Sequence, residues 1–484
     1  MPDSVIALSL LSMSNDSSPG RLRDAIATEI LAGAPAGGRL PSTREIARRW
    51  RVSPVTVQRA IARLVAEGLV ETRPGAGNFV RHARPAAPVD LGWQTTALGP
   101  ARLDAGAHGW TLRPTPEDGV NLHGSYPAED LLPARAVRAA LARAARSAAA
   151  VERPPTAGIP ELREWFAREL AAATPAGAAA PTGADTVVVS GGQSALASIF
   201  RALAAPGDAV VMESPTYWGA IAAARHAGLR IVPVAREGGA VTAAALDEAL
   251  GVSRARLFYA QPHVANPSGE TWSRAEGDAL LEVVRVHGAF LVEDDWGHDL
   301  AFDGPTVPVA GRDRDGHVIH IRSITKSVSP ALRVAGVTAR GPARARIAAD
   351  RTIDELYVSA VLQRAALDVL TAPGRAAHLR GTREALRARR DMLAGHIGNL
   401  LPDGVLGPLP AGGLNLWLRF QVASARELTE LCARRGVGVS PGDEWFPAEP
   451  PAAFLRLNYS GPDASRFGEA VRAIAAAVEE AAPG

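Results

Sequence analysis

Of the 52 lysine and arginine residues in the chain, one is a lysine: Lys326, in the stretch "IRSITKSVSP". An arginine-rich composition can leave one survivor by chance, but the two side chains differ chemically. A guanidinium stays protonated and is a poor nucleophile, whereas an ε-amine can lose its proton and condense with an aldehyde to an imine. Residues suited to an aldehyde cofactor with a phosphate and a pyridine ring stand at matching places. The phosphate needs free N–H groups at a helix N-terminus; the Gly192 and Gln193 amides in "VVVSGGQSALASIF" fit. It also needs a hydroxyl and a cation, for which Ser323 and Arg333 flank the lysine.

The pyridine nitrogen needs a carboxylate to keep it protonated, so that the ring can accept electrons. "FLVEDDW" offers Glu293, Asp294 and Asp295, although a helix cap or a salt bridge would also explain acids there. Tyr217 in "ESPTYWG" provides an aromatic face for the ring. Asn266 in "ANPSG" provides a donor for the ring oxygen.

These residues need a scaffold that brings distant segments to one edge. Short apolar runs ("TVVVSGG", "DAVVMES", "LRIVPVA", "ARLFYAQ", "AFLVEDD", "VIHIRSI") alternate with amphipathic stretches, the pattern of a largely parallel sheet with helices on both faces. Ligands of such sheets bind outside the carboxyl ends of the strands, where the unusual residues cluster.

Charge separates this body from a preceding module. Residues 19–82 carry a net charge of +6 and the rest −4, within a total of +2. A basic module on a mildly acidic body points to a polyanion for the first part. The module reads as a helix over about 21–33 and a second from "PSTREIARRW" with a Ser/Thr cap. A third, "PVTVQRAIARLVAEG", starts at Pro54 and is closed by Gly68; two short strands surround a glycine turn. A helix-turn-helix with a hairpin wing reads DNA by placing its second helix in the major groove. Thr56, Gln58 and Arg59 are the base-facing candidates there, Arg44 a backbone contact, and Gly75 and Gly77 the wing turn.

The single cysteine, Cys432, excludes an intramolecular disulfide and a cysteine-based zinc site, which suits a reducing cytoplasm. Residues 1–18 lack a basic region before their short apolar run and read as an extension, or as sequence ahead of a start at Met13. Residues 83–116, rich in Pro, Gly and Ala, read as a linker, with Trp93 and Trp110 expected to pack on something.

The segments "LPSTREIA", "VSPVTVQRA", "LVAEGLV" and "GAGNFV" resemble the winged helix of the GntR family. Many members carry arginine where Pro54 and Gln58 stand, so the target sequence does not transfer. From about 120 to 480 the chain resembles a fold-type I pyridoxal-phosphate aminotransferase, through "SITKSVSPALRVAG", "ANPSG", "ESPTYWG", "VEDDW" and "FLRLNYS". The combination resembles the MocR subgroup of GntR regulators. The implied fold is an α+β winged helix domain (19–82), the linker, and an α/β aminotransferase-like domain (117–484) with a mostly parallel large subdomain and a small C-terminal one.

The resemblance implies an internal aldimine at Lys326, a pyridine-nitrogen partner in Asp294 and a ring-oxygen partner in Asn266. It also implies stacking by Tyr217, phosphate contacts from Gly192, Gln193, Ser323 and Arg333, and a carboxylate clamp at Arg456. Trp296 stands where that family commonly has a tyrosine on the ring oxygen, and Asn266 where many MocR proteins have an aromatic. "AAAVERPPTAGIPELREWF" lacks the tyrosine that reaches the partner subunit's phosphate in aminotransferases. The implied function is a cytoplasmic regulator, a head-to-tail homodimer on a double-stranded DNA operator, sensing pyridoxal phosphate or an amine or amino acid. The alternatives are a working aminotransferase with an appended winged helix, and a scaffold that has lost its cofactor.

Overall fold

The computed structural model describes residues 19–31, 37–81, 90–98, 109–114, 118–176, 178–236, 239–304, 306–402, 405–422 and 424–481. The expected extension at 1–18 lies outside them. The chain divides into two compact units, Met1–Pro100 and Ala101–Gly484.

In the first unit, helices α1 (Pro19–Leu31), α2 (Thr43–Trp50) and α3 (Pro54–Ala66) precede the hairpin β1 (Val70–Arg73) and β2 (Gly77–Val80). Ser42 and Glu45 cap α2 reciprocally, and the Ser53 hydroxyl accepts from the Thr56 amide to start α3. Apolar residues at helical spacing (Leu22, Ile26, Ile46, Val57, Ile61, Leu64) close on Val70 and Val80 of the hairpin. The first helix starts earlier than the expected 21–33. The interval read as linker is not all irregular: Gly92–Leu98 is a helix, on which Trp93 is 65% exposed rather than packed.

The second unit is built on seven strands: β3 (Thr186–Val189), β4 (Ala209–Ser214), β5 (Arg230–Ala235), β6 (Leu257–Ala260), β7 (Phe290–Asp295), β8 (Val318–Ser323) and β9 (Ala335–Thr338). Their order is β3-β9-β8-β7-β6-β4-β5. The strands expected from the apolar runs are present. The addition is β9, which runs antiparallel between β3 and β8; its short "AGVT" reads locally as a loop. Helices cover both faces, so Val210 and Met212 pack with Leu196 and Ile199, whereas Val211 packs with Leu246, Leu250 and Leu280. Helix α4 (Gly192–Leu203) begins directly beyond β3.

A smaller sheet, β10 (Asn415–Phe420), β11 (Ser440–Pro441) and β12 (Ala453–Asn458), in the order β10-β12-β11, makes the C-terminal subdomain. The long helix α5 (Arg375–Leu400) and α6 (Phe467–Ala481) pack on it through Leu386, Leu393, Ile397, Val471 and Ile474. The buried Asp299 anchors α5: its carboxylate accepts from Arg375 at 3.0 Å, Arg322 at 2.8 Å and the Ser327 hydroxyl at 2.6 Å, and its carbonyl from Arg383 at 2.8 Å. Among the described residues no helix is long and apolar enough to cross a membrane, and no group of His, Cys, Asp and Glu side chains could hold a metal.

Candidate functional site

Beyond the carboxyl ends of β3, β7 and β8 lies a cavity of about 430 Å³. Gly192, Gln193, Tyr217, Asn266, Asp294, Trp296, Ser323, Lys326, Arg333 and Arg456 line it, whereas Glu293 and Asp295, offered beside Asp294, do not.

Lys326 sits in the turn after β8. Its Nζ donates to the Ser125 carbonyl at 2.6 Å and lies 3.4 Å from the centre of the Tyr126 ring. Burial, reinforced by the Arg456 and Arg333 charges, pushes the amine down to about 7, although the ring contact favours the charged form. Burial wins, so a substantial neutral, nucleophilic fraction exists near neutral pH.

Asp294 receives the Tyr259 hydroxyl at 2.9 Å and the Gln261 amide at 2.8 Å. Burial lifts its carboxyl to about 6 against those two bonds. Strand alternation turns its neighbours to the opposite face. Glu293 accepts from the Val309 and Ala310 amides, and Asp295 from His298 at 2.7 Å and His320 at 3.2 Å. The three acids therefore divide: the outer two are structural and the central one faces the cavity.

No side chain caps the N-terminus of α4, where Gly192 and Gln193 stand. Gly191 before it has φ of +89°, and a Cβ there would meet the Arg333 guanidinium at 2.8 Å. Arg333 itself donates to the Ser190 carbonyl at 3.3 Å. Tyr217 donates to Gln193 at 3.1 Å, and Gln193 in turn to the Gly219 carbonyl at 2.7 Å. The indole N–H of Trp445 donates to Asn266 Oδ1 at 3.1 Å. Because indole only donates, this fixes the amide orientation and leaves the Asn266 NH2 as the donor.

Arg456 differs from the expected open clamp. Its Nη2 already donates to the His123 carbonyl at 2.9 Å, the Gly124 carbonyl at 3.0 Å and the Ser125 hydroxyl at 3.0 Å. Burial pushes it down to about 9.

Sequence reasoning missed Ser125, Tyr126, Gln261, Thr325 and Asn415 in the lining, together with Thr111 and Leu112. A polar Gln directly after the fully buried strand β6 was the one local signal among them. Four lining residues carry a buried polar atom with no partner in the protein: Trp296 Nε1, Thr325 Oγ1, Asn415 Oδ1 and Arg456 Nε. Such atoms are costly unless a ligand meets them. With free helix amides, a cation, a buried acid and a partly neutral amine, the donor set fits a phosphorylated pyridine aldehyde.

In the first unit, Gln58 and Arg59 are exposed on α3 and Arg44 on α2. The Thr56 hydroxyl instead pairs with Ser53 at 2.8 Å, inside its own cap. Val55, 55% exposed beside them, was not anticipated and offers an apolar contact. Gly75 and Gly77 have φ of +76° and +114°, as the tight wing turn requires, and Arg39 packs against Gly77.

Residues 118–474 match the family described as aminotransferase class I and II, and residues 20–80 the bacterial regulatory proteins of the gntR family. The chain belongs to the aminotransferase class I and II family. The regulatory domain ahead of the aminotransferase domain gives it the layout of the MocR subgroup. It is 29% identical over 469 residues to the probable rhizopine catabolism regulatory protein MocR of Rhizobium meliloti, covering 94% of this chain and 93% of that one. It is 27% identical over 438 residues to the vitamin B6 salvage pathway transcriptional repressor PtsJ of Salmonella typhimurium, covering 90% and 93%. Among solved structures, the α-aminoadipate aminotransferase LysN of Thermus thermophilus, complexed with N-(5′-phosphopyridoxyl)-L-leucine, superposes with a TM-score of 0.69 at 26% identity. That match covers 75% of this chain and 93% of LysN. The cofactor of this aminotransferase domain is pyridoxal 5′-phosphate.

Proposed function

We propose that the protein is a transcriptional regulator whose aminotransferase domain holds pyridoxal phosphate at Lys326 and responds there to the cofactor itself or to a small amine or amino acid. The observation that carries this is the chain's one side-chain amine, partly neutral, sharing a buried cavity with Asp294, in a chain that also carries a winged helix. When bound, the cofactor supplies the aldehyde and an electron-accepting ring. Lys326 supplies the amine, Asp294 holds the proton at the ring nitrogen, and Asn266 donates to the ring oxygen. The α4 amides, Ser323 and Arg333 receive the phosphate, and Tyr217 covers the ring.

The regulator acts in the cytoplasm as a head-to-tail homodimer. Two recognition helices then meet half-sites one or more helical turns apart on one duplex. Gln58 and Arg59 read bases or phosphates, and Arg44 meets the backbone.

Borohydride reduction followed by intact mass and peptide mapping tests the first half. A phosphopyridoxyl adduct on Lys326 is expected; no adduct after adding pyridoxal phosphate would overturn the reading. Genomic fragments captured on the loaded protein test the second. The partly neutral Lys326 and buried Asp294 also suit transamination. Release of a keto acid from added amino acids over repeated turnovers would move the assignment to an enzyme.

A further inference from the structure

The start of α4 already holds an anion. The Glu355 carboxylate accepts from the Ser190 hydroxyl at 2.8 Å and from the Ser194 hydroxyl at 2.7 Å, one bond to each oxygen. These two serines bracket Gly191, Gly192 and Gln193, the turn read above as receiving a phosphate. Both hydroxyls are thereby turned to a carboxylate that stands on the same turn.

We propose that Glu355 is a counter-charge set against the phosphate, which keeps pyridoxal phosphate exchangeable and lets the protein follow the supply of the cofactor. The inference rests on reading the cavity as the cofactor site, and it names how the hold on that cofactor is limited.

The placement of Glu355 is specific. It is the last residue of the helix Gly341–Glu355, an end whose dipole disfavours an anion, and it is drawn instead to the N-terminus of α4, which favours one. Hydroxyls donating to a carboxylate make strong, charge-assisted bonds. The next residue, Leu356, has φ of +54° and ψ of −58°, a backbone conformation that a residue other than glycine adopts at a cost. Arg351 holds this turn from behind, its Nη2 donating to the Leu356 carbonyl at 3.1 Å and to the Thr156 carbonyl.

The local charges decide the sign of the effect. A phosphate monoester carries close to two negative charges at neutral pH. The cations near the turn are Arg333 and Arg351. Arg333 donates to the Ser190 carbonyl, so it stands beside the same serine that Glu355 engages. Arg351 Nη1 comes only to 3.9 Å from Glu355 and has no hydrogen-bond partner, so it offsets the carboxylate in part. A phosphate on the Gly192 and Gln193 amides therefore shares the positive helix end with a second anion, and like charges at one site weaken each other's binding. It also finds the Ser190 and Ser194 hydroxyls already committed. The pyridine side of the cavity, around Asp294 and Asn266, feels neither restraint.

The test uses full-length protein freed of cofactor, titrated by absorbance with pyridoxal phosphate and with pyridoxal, which lacks the phosphate. Release is followed by dilution and borohydride trapping with intact mass. Glu355→Gln keeps the shape and removes the charge. It is expected to bind pyridoxal phosphate several-fold more tightly and release it more slowly, with pyridoxal unchanged. The double variant Ser190→Ala, Ser194→Ala keeps the charge and removes the hydroxyls. It is expected to hold pyridoxal phosphate within about twofold of wild type, and it serves as the deciding variant if Glu355→Gln does not fold.

Unchanged or weaker pyridoxal-phosphate binding by folded Glu355→Gln would overturn the counter-charge, as would equal tightening of both ligands. A several-fold loss in the double serine variant would place the hydroxyls on the phosphate and overturn it too. So would wild-type protein that retains its cofactor through prolonged dialysis. Failure of the wild type to bind either ligand would instead overturn the reading of the cavity itself, and the counter-charge with it.

Discussion

Asp294 and Asp295 are adjacent on one strand, yet their carboxyls are driven apart. Burial lifts Asp294 to about 6. Burial acts upward on Asp295 too, but the His298 charge and the bonds from His298 and His320 outweigh it and hold that carboxyl well below the usual range. The first is an acid facing the cavity; the second is a fixed anion in the scaffold. Pairs of acids separated by environment in this way mark division of labour.

On the proposed pairing of Asp294 with the ring nitrogen, replacing it removes a charge-assisted bond to the cofactor. Such bonds are worth about 1.5–3 kcal/mol, so Asp294→Asn should weaken pyridoxal-phosphate binding roughly 10- to 100-fold in an absorbance titration. Asp295→Asn should lower the melting temperature instead, by leaving His298 and His320 without their anion. Wild-type affinity in Asp294→Asn would remove Asp294 from the cofactor's contacts.

The amine of Lys326 is depressed to about 7, so its neutral fraction climbs as pH rises toward that value. The rate of pyridoxal-phosphate uptake should rise about tenfold per pH unit below 7 and level off above it. A linkage consequence follows. The folded amine binds its proton less tightly than the unfolded one, so between about 7 and the ordinary lysine range stability rises with pH. At neutral pH, Lys326→Met should raise the melting temperature of the cofactor-free protein while abolishing the borohydride adduct.

Gly191 combines φ of +89° with close approach to Arg333. Gly191→Ala should cost about 1–3 kcal/mol in folding through the backbone alone. It should also displace the guanidinium and weaken binding of pyridoxal phosphate more than that of pyridoxal, which lacks the phosphate. Equal loss for the two ligands would separate Arg333 from the phosphate.

On the DNA side, Arg59→Ala and Gln58→Ala should fail differently. A side chain on a phosphate weakens binding to all sequences and reduces the salt slope by about one, whereas a bidentate base contact costs about 1–3 kcal/mol and relaxes preference at one position. Fluorescence anisotropy across a salt series on a captured fragment and its point variants separates the two. Ser53→Ala, which removes the α3 cap, should cost about 1 kcal/mol in unit stability.

The site was legible wherever chemistry was written locally. Ser323, Lys326 and Arg333 fall within one turn and its flank, and the glycine turn before α4 announces a helix N-terminus. What could not be read is what folding brings from far away. Ser125 lies 201 residues from Lys326, and nothing near "HGSYP" indicates that its carbonyl and an aromatic ring would hold the lysine. Arg456 was readable as a cation on a strand, but not its capture by the 123–125 backbone. Tyr259 looks like any core aromatic until Asp294 lies beside it. The antiparallel β9 escaped because four small residues carry no periodicity, and only the strands on either side impose extended backbone on them.

The 26 residues of α5 form a rod roughly 39 Å long at 1.5 Å per residue. Its first turn is pinned through Arg375 to Asp299, which also holds Ser327, the residue next to Lys326. The hub at Asp299 thus ties the lysine turn to the first turn of α5, and the length of that helix carries the tie across to the core of the small subdomain.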